Sequence, residues 1–497
     1  MEEKSLKVLI VSPEVVPFAK TGGLADVCGA LPKALAGLGH QVKVILPKYR
    51  MVDEKRFPLS RVDVNIPPIA VGDRPKNVSV KSYHSDSPAL EYLFVVNDDY
   101  YDREELYRNR ATGLDYADND ERFILFAKGA IEILKAIHWQ PDVIHANDWQ
   151  SALIPAYLKT LYADDPFFKK TGTVFSIHNL AYQGGFPKST FEKIGAAPEL
   201  FYPTRPFEFW GNVNFMKAGI SYADVVNTVS ETYAVEIQSG PEFGYGLEGV
   251  LRTRNADLYG IVNGIDYEVW SPEKDKLISH HFSPKDLSGK RKDKALLLEL
   301  CHLPSSSKDV PVIGIISRLA DQKGFDLLAQ ISSDLLSLDL QMVILGTGDE
   351  KYHHLFKDLS AKYPRKISVN LRFDDALAHL IEAGSDMFLM PSRYEPCGLN
   401  QLYSLKYGTV PIVRKTGGLA DTIENYDSQT GQGTGFVFKN YTAVELLNTI
   451  KLALSMYKDK SAWSRLMRNG MKKDFSWEAS AKKYIELYQK ALQTIKQ

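Results

Sequence analysis

Lys7-Val8-Leu9-Ile10-Val11-Ser12, followed by a Pro- and Gly-bearing loop and a helical run closed by Gly39, decides the fold. The opening run is apolar without alternation, the character of a parallel strand covered on both faces. Ala25, Leu31, Ala34, Leu35 and Leu38 then recur at helical spacing, and Gln41 to Leu46 reads as a second strand. Strand, glycine loop, helix, strand is a βαβ unit of a doubly wound sheet, with right-handed crossovers. The alternation continues through strands at Val143 to His145, Val174 to Ile177 and Val225 to Val229, with helices from Ser151 and over Phe215 to Tyr222.

A polar stretch of weak periodicity, Ser271 to Lys294, separates this series from a second one. Strands are expected at Val312 to Ile316, Met342 to Leu345, Met387 to Met390 and Val410 to Val413. Helices are expected over Phe325 to Leu338, Ala376 to Ala383 and Leu399 to Tyr407. The class is α/β, with two Rossmann-like doubly wound domains in tandem over 1–260 and 261–476. The crossing lies near Ile261 to Trp270. A terminal amphipathic helix, within 477–497, is expected to pack back on the first domain.

The chain has 497 residues, too many for one ordinary core. Sixty Lys and Arg face 61 Asp and Glu, so there is no net field to draw a nucleic acid or an anionic membrane surface. A neutral polymer fits better as a partner. No apolar run reaches the length of a membrane span, and Met1-Glu2-Glu3-Lys4 lacks a signal peptide's basic start. Cys28, Cys301 and Cys397 form no C-x-x-C pair and read as reduced thiols of a cytoplasmic enzyme.

One heptapeptide occurs twice, Lys20-Thr21-Gly22-Gly23-Leu24-Ala25-Asp26 and Lys415-Thr416-Gly417-Gly418-Leu419-Ala420-Asp421. Each is a glycine turn leading into a helix, a place where backbone N–H groups can meet an anion. Two such turns could face one ligand across an interdomain cleft; the alternative is two unrelated tight turns. Arg318 and Lys323 follow the strand Val312 to Ile316, where an open α/β sheet binds ligands. There they could hold a departing diphosphate, or simply form a solvated basic loop. Glu395 sits on the turn after strand Met387 to Met390. A carboxylate there could face an oxocarbenium-like carbon or merely complement a helix dipole. Cys397, with no base partner in the sequence, reads as a packing residue or sugar-wall contact. His145 to Trp149 and His178 to Gly184 end two strands of the first domain, and this company of rings and amides suits carbohydrate. A metal site from His145, His178 and Asp148 has no ligand spacing to support it.

Taken in order, these motifs resemble the bacterial glycogen synthase and plant starch synthase family. The resemblance rests on Lys20 to Asp26, His178-Asn179-Leu180-Ala181-Tyr182-Gln183-Gly184, Tyr245 to Gly249 and Val262 to Asp266. Ser317-Arg318-Leu319, Gln322-Lys323-Gly324, Glu395 to Leu399 and Lys415 to Gly418 complete it. It covers nearly the whole chain. It implies a GT-B fold with the active site in the cleft, closing over an ADP-glucose donor. It also implies metal-independent transfer to an α-1,4-glucan with retention, and no cofactor. By motif matching, Lys20, Gly22 and Gly23 would contact the sugar-nucleotide phosphates. Arg318 and Lys323 would hold the distal phosphate, and Thr416, Gly417 and Gly418 would add backbone donors. Glu395 would position the transferred glucose, with Cys397, Gly398 and Leu399 along its hydroxyls. His178 and Asn263 would contact the glucose; Asp26, Asp148 and Trp149 would line the glucose and acceptor side.

Three positions depart from the pattern. Tyr403 stands where many retaining GT-B enzymes carry a second Glu, Asn147 replaces a His often found before Asp-Trp, and Phe373 is the aromatic placed against the base. A dehydrogenase reading fails at Gly346-Thr347-Gly348, since Lys351 occupies the third glycine position. A phosphorylase reading fails because Tyr403 cannot form a Schiff base with pyridoxal phosphate.

Overall fold

The computed structural model describes residues 5–305 and 309–495. The start at Met1-Glu2-Glu3-Lys4 and the last two residues of the chain lie outside them. Two compact units are present. The first runs to Val229, resumes over Ala234–Gly264 and takes in the C-terminal helix Trp477–Thr494; the second holds Ser230–Tyr233 and Ile265–Ser476. The chain therefore changes unit at Gly264–Ile265, four residues beyond the division at 260 read from the sequence.

The first unit's strands begin with β1 (Lys7–Val11), β2 (Gln41–Pro47), β3 (Ser60–Val62), β4 (Ile69–Val71), β5 (Arg74–Lys76), β6 (Ser79–His84) and β7 (Leu90–Val96). They continue with β8 (Val143–Asn147), β9 (Gly172–Ile177), β10 (Gly185–Phe186), β11 (Glu208–Phe209), β12 (Asn212–Asn214), β13 (Val225–Thr228) and β14 (Leu258–Gly260). The main sheet has nine strands in the order β14-β13-β9-β8-β1-β2-β7-β6-β3. β1 pairs in parallel with β2 on one side and β8 on the other, Val8 lying opposite Val42 and Val143. Winding thus reverses between β1 and β8, and the loops after these strands flank a crevice at their carboxyl ends. β10, β12 and β11 form a small antiparallel sheet apart from the main one.

The second unit carries β15 (Val312–Ile316), β16 (Gln341–Leu345), β17 (Ile367–Asn370), β18 (Met387–Met390), β19 (Val410–Arg414) and β20 (Phe436–Phe438). Their order, β17-β16-β15-β18-β19-β20, reverses between β15 and β18. Successive side chains enter opposite layers, as the two-residue strand period requires. Ile313, Ile344, Leu389 and Ile412 join one core with Leu446 and Trp463. Val312, Val343, Phe388 and Val413 join another with Leu297, Ile381 and Leu419. Burial on both faces is why these strands read as unbroken apolar runs.

Two regions differ from a reading by periodicity. Ser271 to Lys294 is not a polar connector; it enters the helix Ser288–Leu300, which packs on the helix Asp375–Gly384. Its charges are used inside the unit. Asp275 Oδ2 is 2.7 Å from His379 Nδ1 and accepts from the Tyr407 hydroxyl at 2.5 Å. Lys290 Nζ donates to the Ala383 carbonyl at 2.9 Å and to Thr409 Oγ1 at 2.6 Å. Burial pushes the Lys290 pKa down to about 7. His145, second, lies within β8 and takes no place in the group of rings and amides that suits carbohydrate. It lies fully buried, with Nε2 2.7 Å from Ser176 Oγ and Nδ1 3.0 Å from the Tyr488 hydroxyl. Tyr488 belongs to the helix Trp477–Thr494, which packs on the helix Gly23–Gly37 and on β9. A Cβ at Gly172 would meet Ala491 at 3.2 Å, so that helix lies close against the strand.

Tyr488→Phe would leave the His145 ring nitrogen without its buried partner. The expected cost is about 1–3 kcal/mol, read as a lowered urea midpoint for unfolding.

Candidate functional site

In the second unit, four loops at the carboxyl ends of the strands interlock through their backbones. Gly324 has φ +76°, and a Cβ there would stand 1.9 Å from the Pro391 carbonyl oxygen. The loop after β15 therefore lies directly against the loop after β18. Arg393 N–H donates to the Gln322 carbonyl at 2.8 Å across the same seam. On the far side, Gly418 N–H donates to the carbonyl oxygens of Glu395 and Pro396 at 3.1 and 3.2 Å. A Cβ at Gly417 would come within 1.9 Å of the Glu395 oxygen, and one at Gly418 within 2.1 Å of the Cys397 oxygen. Gly346-Thr347-Gly348, the fragment of a dinucleotide fingerprint, packs on the first loop, with Leu319 N–H donating to the Thr347 carbonyl at 2.9 Å.

This seam joins Lys323 to Glu395. The ammonium lies 2.6 Å from Glu395 Oε2, which also accepts from Ser392 Oγ at 3.0 Å. Both are largely withdrawn from solvent, Glu395 almost wholly. Arg318 lies exposed, its Nη2 3.3 Å from Gln322 Oε1. Cys397 is buried, and Gln401 donates to the carbonyls of Cys397 and Gly398, both at 3.0 Å. Leu399 leads into the helix Asn400–Lys406. Phe373 lies in the loop after β17 and is 85% exposed.

The first unit's crevice is built around a residue that sequence reasoning missed. Glu14, buried in the loop after β1, accepts from Thr21 N–H at 2.5 Å, Gly22 N–H at 3.1 Å and Thr21 Oγ1 at 2.6 Å. Tyr107 OH donates to it at 2.8 Å. The turn expected to offer these N–H groups to phosphate has thus given Thr21 and Gly22 to an internal carboxylate. In the second copy, Thr416 N–H goes to Arg414 and Gly418 N–H to the Glu395 loop. The repeat is a device for packing turns in both units, which corrects the reading of Thr416 and Gly418 as open donors. Only the acidic residue and the Lys20-Thr21-Gly22 turn falling in one loop hinted at Glu14. Lys20 Nζ instead meets Asp26 Oδ1 at 2.7 Å, two site candidates paired on the first turn.

Across the crevice, Asp148 adopts φ +55° and accepts from His178 N–H at 2.7 Å, tying the loop after β8 to that after β9. Asn147 Nδ2 donates to the carbonyls of Val11 and His145, both at 3.2 Å, so its Oδ1 faces His178 Nε2 at 3.0 Å. That orientation makes Nε2 the protonated nitrogen and leaves Nδ1 as an acceptor. Burial pushes the His178 pKa down to about 3, so the ring is neutral. Trp149 is not a free platform. Its ring centroid lies 4.9 Å from that of Phe123 and 5.7 Å from Phe186, and a Cβ at Gly184 would strike it at 2.4 Å. Asn263 is buried, and its Oδ1 has no hydrogen-bond partner among the described residues.

The family model described as Starch synthase catalytic domain matches residues 7–253, and that described as Glycosyl transferases group 1 matches 304–469. The glycogen synthase of Desulforudis audaxviator is 49% identical, covering 100% of this chain and 98% of its own. The chain belongs to the glycogen synthase family. The Koribacter versatilis member of this family is likewise 49% identical, over 98% of this chain and 99% of its own. The catalytic domain of starch synthase IV from Arabidopsis thaliana, solved bound to ADP and acarbose, is 32% identical. It aligns with a TM-score of 0.89 over 99% of this chain and 100% of that one. The fold is GT-B, and the chain is a glycosyltransferase of this family. No helix among the described residues is long and apolar enough to cross a membrane.

Gly417→Ala puts a methyl group into the Glu395 carbonyl at a left-handed φ of +43°. It is expected to lower stability by more than about 1 kcal/mol in chemical denaturation. The histidines set a pH dependence. His145 and His178 have pKa values of about 3 in the folded chain against about 6.5 unfolded, so their stability is complete above 6.5 and drains as pH falls towards 3. Burial raises Asp148 to about 7, which acts in the opposite sense between pH 7 and its unfolded value near 4. Asp148→Asn, which keeps the acceptor and tolerates the backbone, should steepen the loss of stability between pH 7 and 4.5. Urea denaturation across that range measures it.

Proposed function

We propose that the chain transfers glucose from ADP-glucose to the non-reducing end of an α-1,4-glucan with retention of the α configuration. The Lys323–Glu395 pair, held at the switch point of the second unit, carries the reading. In this reaction the bond from C1 to the diphosphate oxygen breaks, and a bond from C1 to the acceptor 4-hydroxyl oxygen forms. The acceptor hydroxyl proton passes to the departing diphosphate, directly or by way of solvent, and ADP carries away the electron pair of the broken C1–O bond.

Charge builds on the departing phosphate, where Lys323 and the exposed Arg318 act as cations that need little rearrangement. Lys323 serves two anions, the distal phosphate and Glu395, so it couples donor arrival to the carboxylate beside the glucosyl ring. Glu395 in turn hydrogen-bonds ring hydroxyls and faces the positive charge that develops at C1. Gly398 and Leu399 lie along the same ring. His178, neutral with Nδ1 open, accepts from a sugar hydroxyl, and Asn263 Oδ1 accepts another. Lys20, released from Asp26, meets the donor phosphates. Support for ADP as the nucleotide comes from the Arabidopsis thaliana starch synthase IV structure, which holds ADP and acarbose.

The transfer runs without a metal or other cofactor in this proposal, because the two cations supply the charge that a divalent ion would bring. Among the described residues no three His, Cys, Asp or Glu side chains gather as a metal site would need. The partners are the sugar nucleotide and the glucan, and the near-balanced charge supports the absence of nucleic acid. The compartment proposed is the cytoplasm; its support is that Cys28, Cys301 and Cys397 are buried and form no disulfide among the described residues.

Glucose incorporation into glycogen should proceed from ADP-glucose, faster than from UDP-glucose, and unchanged by a chelator. Glu395→Ala and Lys323→Ala should each reduce it by about 10²-fold or more while near-UV circular dichroism is retained. Near-wild-type rates in both variants would overturn the assignment.

A further inference from the structure

The small antiparallel sheet of the first unit holds a feature that the transfer chemistry does not use. β11 and β12 are joined by Trp210-Gly211, with φ +52° and +81°, the paired positive angles of a hairpin turn that normally calls for Asn-Gly. An aromatic residue in the first of these positions is an outlier that must be held in place. It is held twice over. Buried Glu208 accepts from Gly211 N–H at 2.8 Å and from Thr204 N–H at 3.2 Å, clamping the turn from below. Lys217 Nζ bonds the Glu208 carbonyl at 2.5 Å, and a Cβ at Gly246 would meet the Phe209 ring at 2.9 Å.

All this support presents an indole to solvent. Trp210 is 84% exposed, while Phe209 beside it is packed down. Against the hairpin lies an open surface hollow of about 530 Å³. Phe186, Phe209 and Trp210 supply its rings, Gln183, Asn212 and Asn214 its amides, and among the described residues no charged side chain lines it. Gln183 and Asn214 are bonded to each other at 2.7 Å, which fixes the amide edge. A site without a cation has nothing to hold a phosphate or a carboxylate. Flat rings beside amides suit a neutral ligand with apolar C–H faces and many hydroxyls.

We propose that the Trp210 hairpin is a subsite for the α-glucan chain, binding glucosyl units of the acceptor by stacking on the indole. The inference rests on the glucan-transfer reading above and adds where a long acceptor is gripped. The hollow lies along the chain directly after the His178 to Gly184 loop, whose residue Gln183 forms its wall. A polymer held here has a second foothold in the first unit, which a short oligosaccharide need not reach.

Trp210→Asn is the test, because asparagine suits the left-handed angle and the hairpin should fold at least as well. Expected are a weaker retention of the variant by glycogen in native affinity gels without donor, and a KM for glycogen raised about three- to tenfold. The ratio of kcat/KM for glycogen to that for maltotriose should fall, and Trp210→Tyr should restore most of it. Unaltered glycogen retention and KM in Trp210→Asn, with a wild type that transfers glucose, would overturn the subsite alone. A wild type that binds glycogen through Trp210 yet transfers nothing from ADP-glucose would overturn the transfer reading and leave the subsite standing.

Discussion

The backbone bond from Gly418 N–H to the Glu395 carbonyl governs the second unit's site, because it sets how the turn after β18 faces its neighbours. That bond exists only because no Cβ stands at Gly417 or Gly418. On the other flank Gly324 is pressed against Pro391 by the same logic. Glu395 is thus gripped through its main chain from one side while its carboxylate meets Lys323 from the other. A carboxylate whose backbone and side chain are both constrained has little freedom to lose when a sugar arrives, and this preorganisation is what electrostatic catalysis requires.

The duplicated heptapeptide shows how one local sequence serves two settings. In the second unit its glycines take the close approach of neighbouring carbonyls. In the first unit they accompany a turn whose N–H groups surround the Glu14 carboxylate. An anion is indeed bound by the first turn, but it is the protein's own. The identical residues share a conformational need, a tight entry into a helix, and the surroundings decide what fills the donors. Repetition therefore reports on backbone geometry more directly than on ligand.

Both doubly wound sheets were legible, because strands buried on two faces must be apolar throughout and the glycine turns punctuate them. That Lys323 and Glu395 come from neighbouring loops was legible, because strand carboxyl ends near a switch point gather in an open sheet; Arg318 stays beside Gln322 on the first of those loops. Glu14 was not legible: its partners are backbone N–H groups, which carry no side-chain signature. Ser271 to Lys294 was misread for the opposite reason. Its Asp275 and Lys290 look solvated in sequence but are satisfied inside by His379, Tyr407 and Thr409, partners more than 90 residues away. Trp149 looked like a sugar platform until Gly184 was found pressed on its face.

The departure at Tyr403 follows from the same long-range packing. Trp270 lies between two rings, 3.7 Å from the His379 centroid at 14° and 3.9 Å from that of Tyr403 at 7°. A glutamate at 403 would place a carboxylate against an indole face, whose quadrupole repels it. The position has been given to stacking, and its effect reaches the site by a short route. Tyr403 lies in the helix Asn400–Lys406, and stacking fixes how that helix is turned. Gln401 of the same helix donates to the carbonyls of Cys397 and Gly398, just after Glu395. Asn400 donates to the Ile316 carbonyl at 3.1 Å, joining the helix to the end of β15, where the loop bearing Arg318 and Lys323 begins. A residue that touches no reacting atom thereby helps to hold both charged groups of the pair in register.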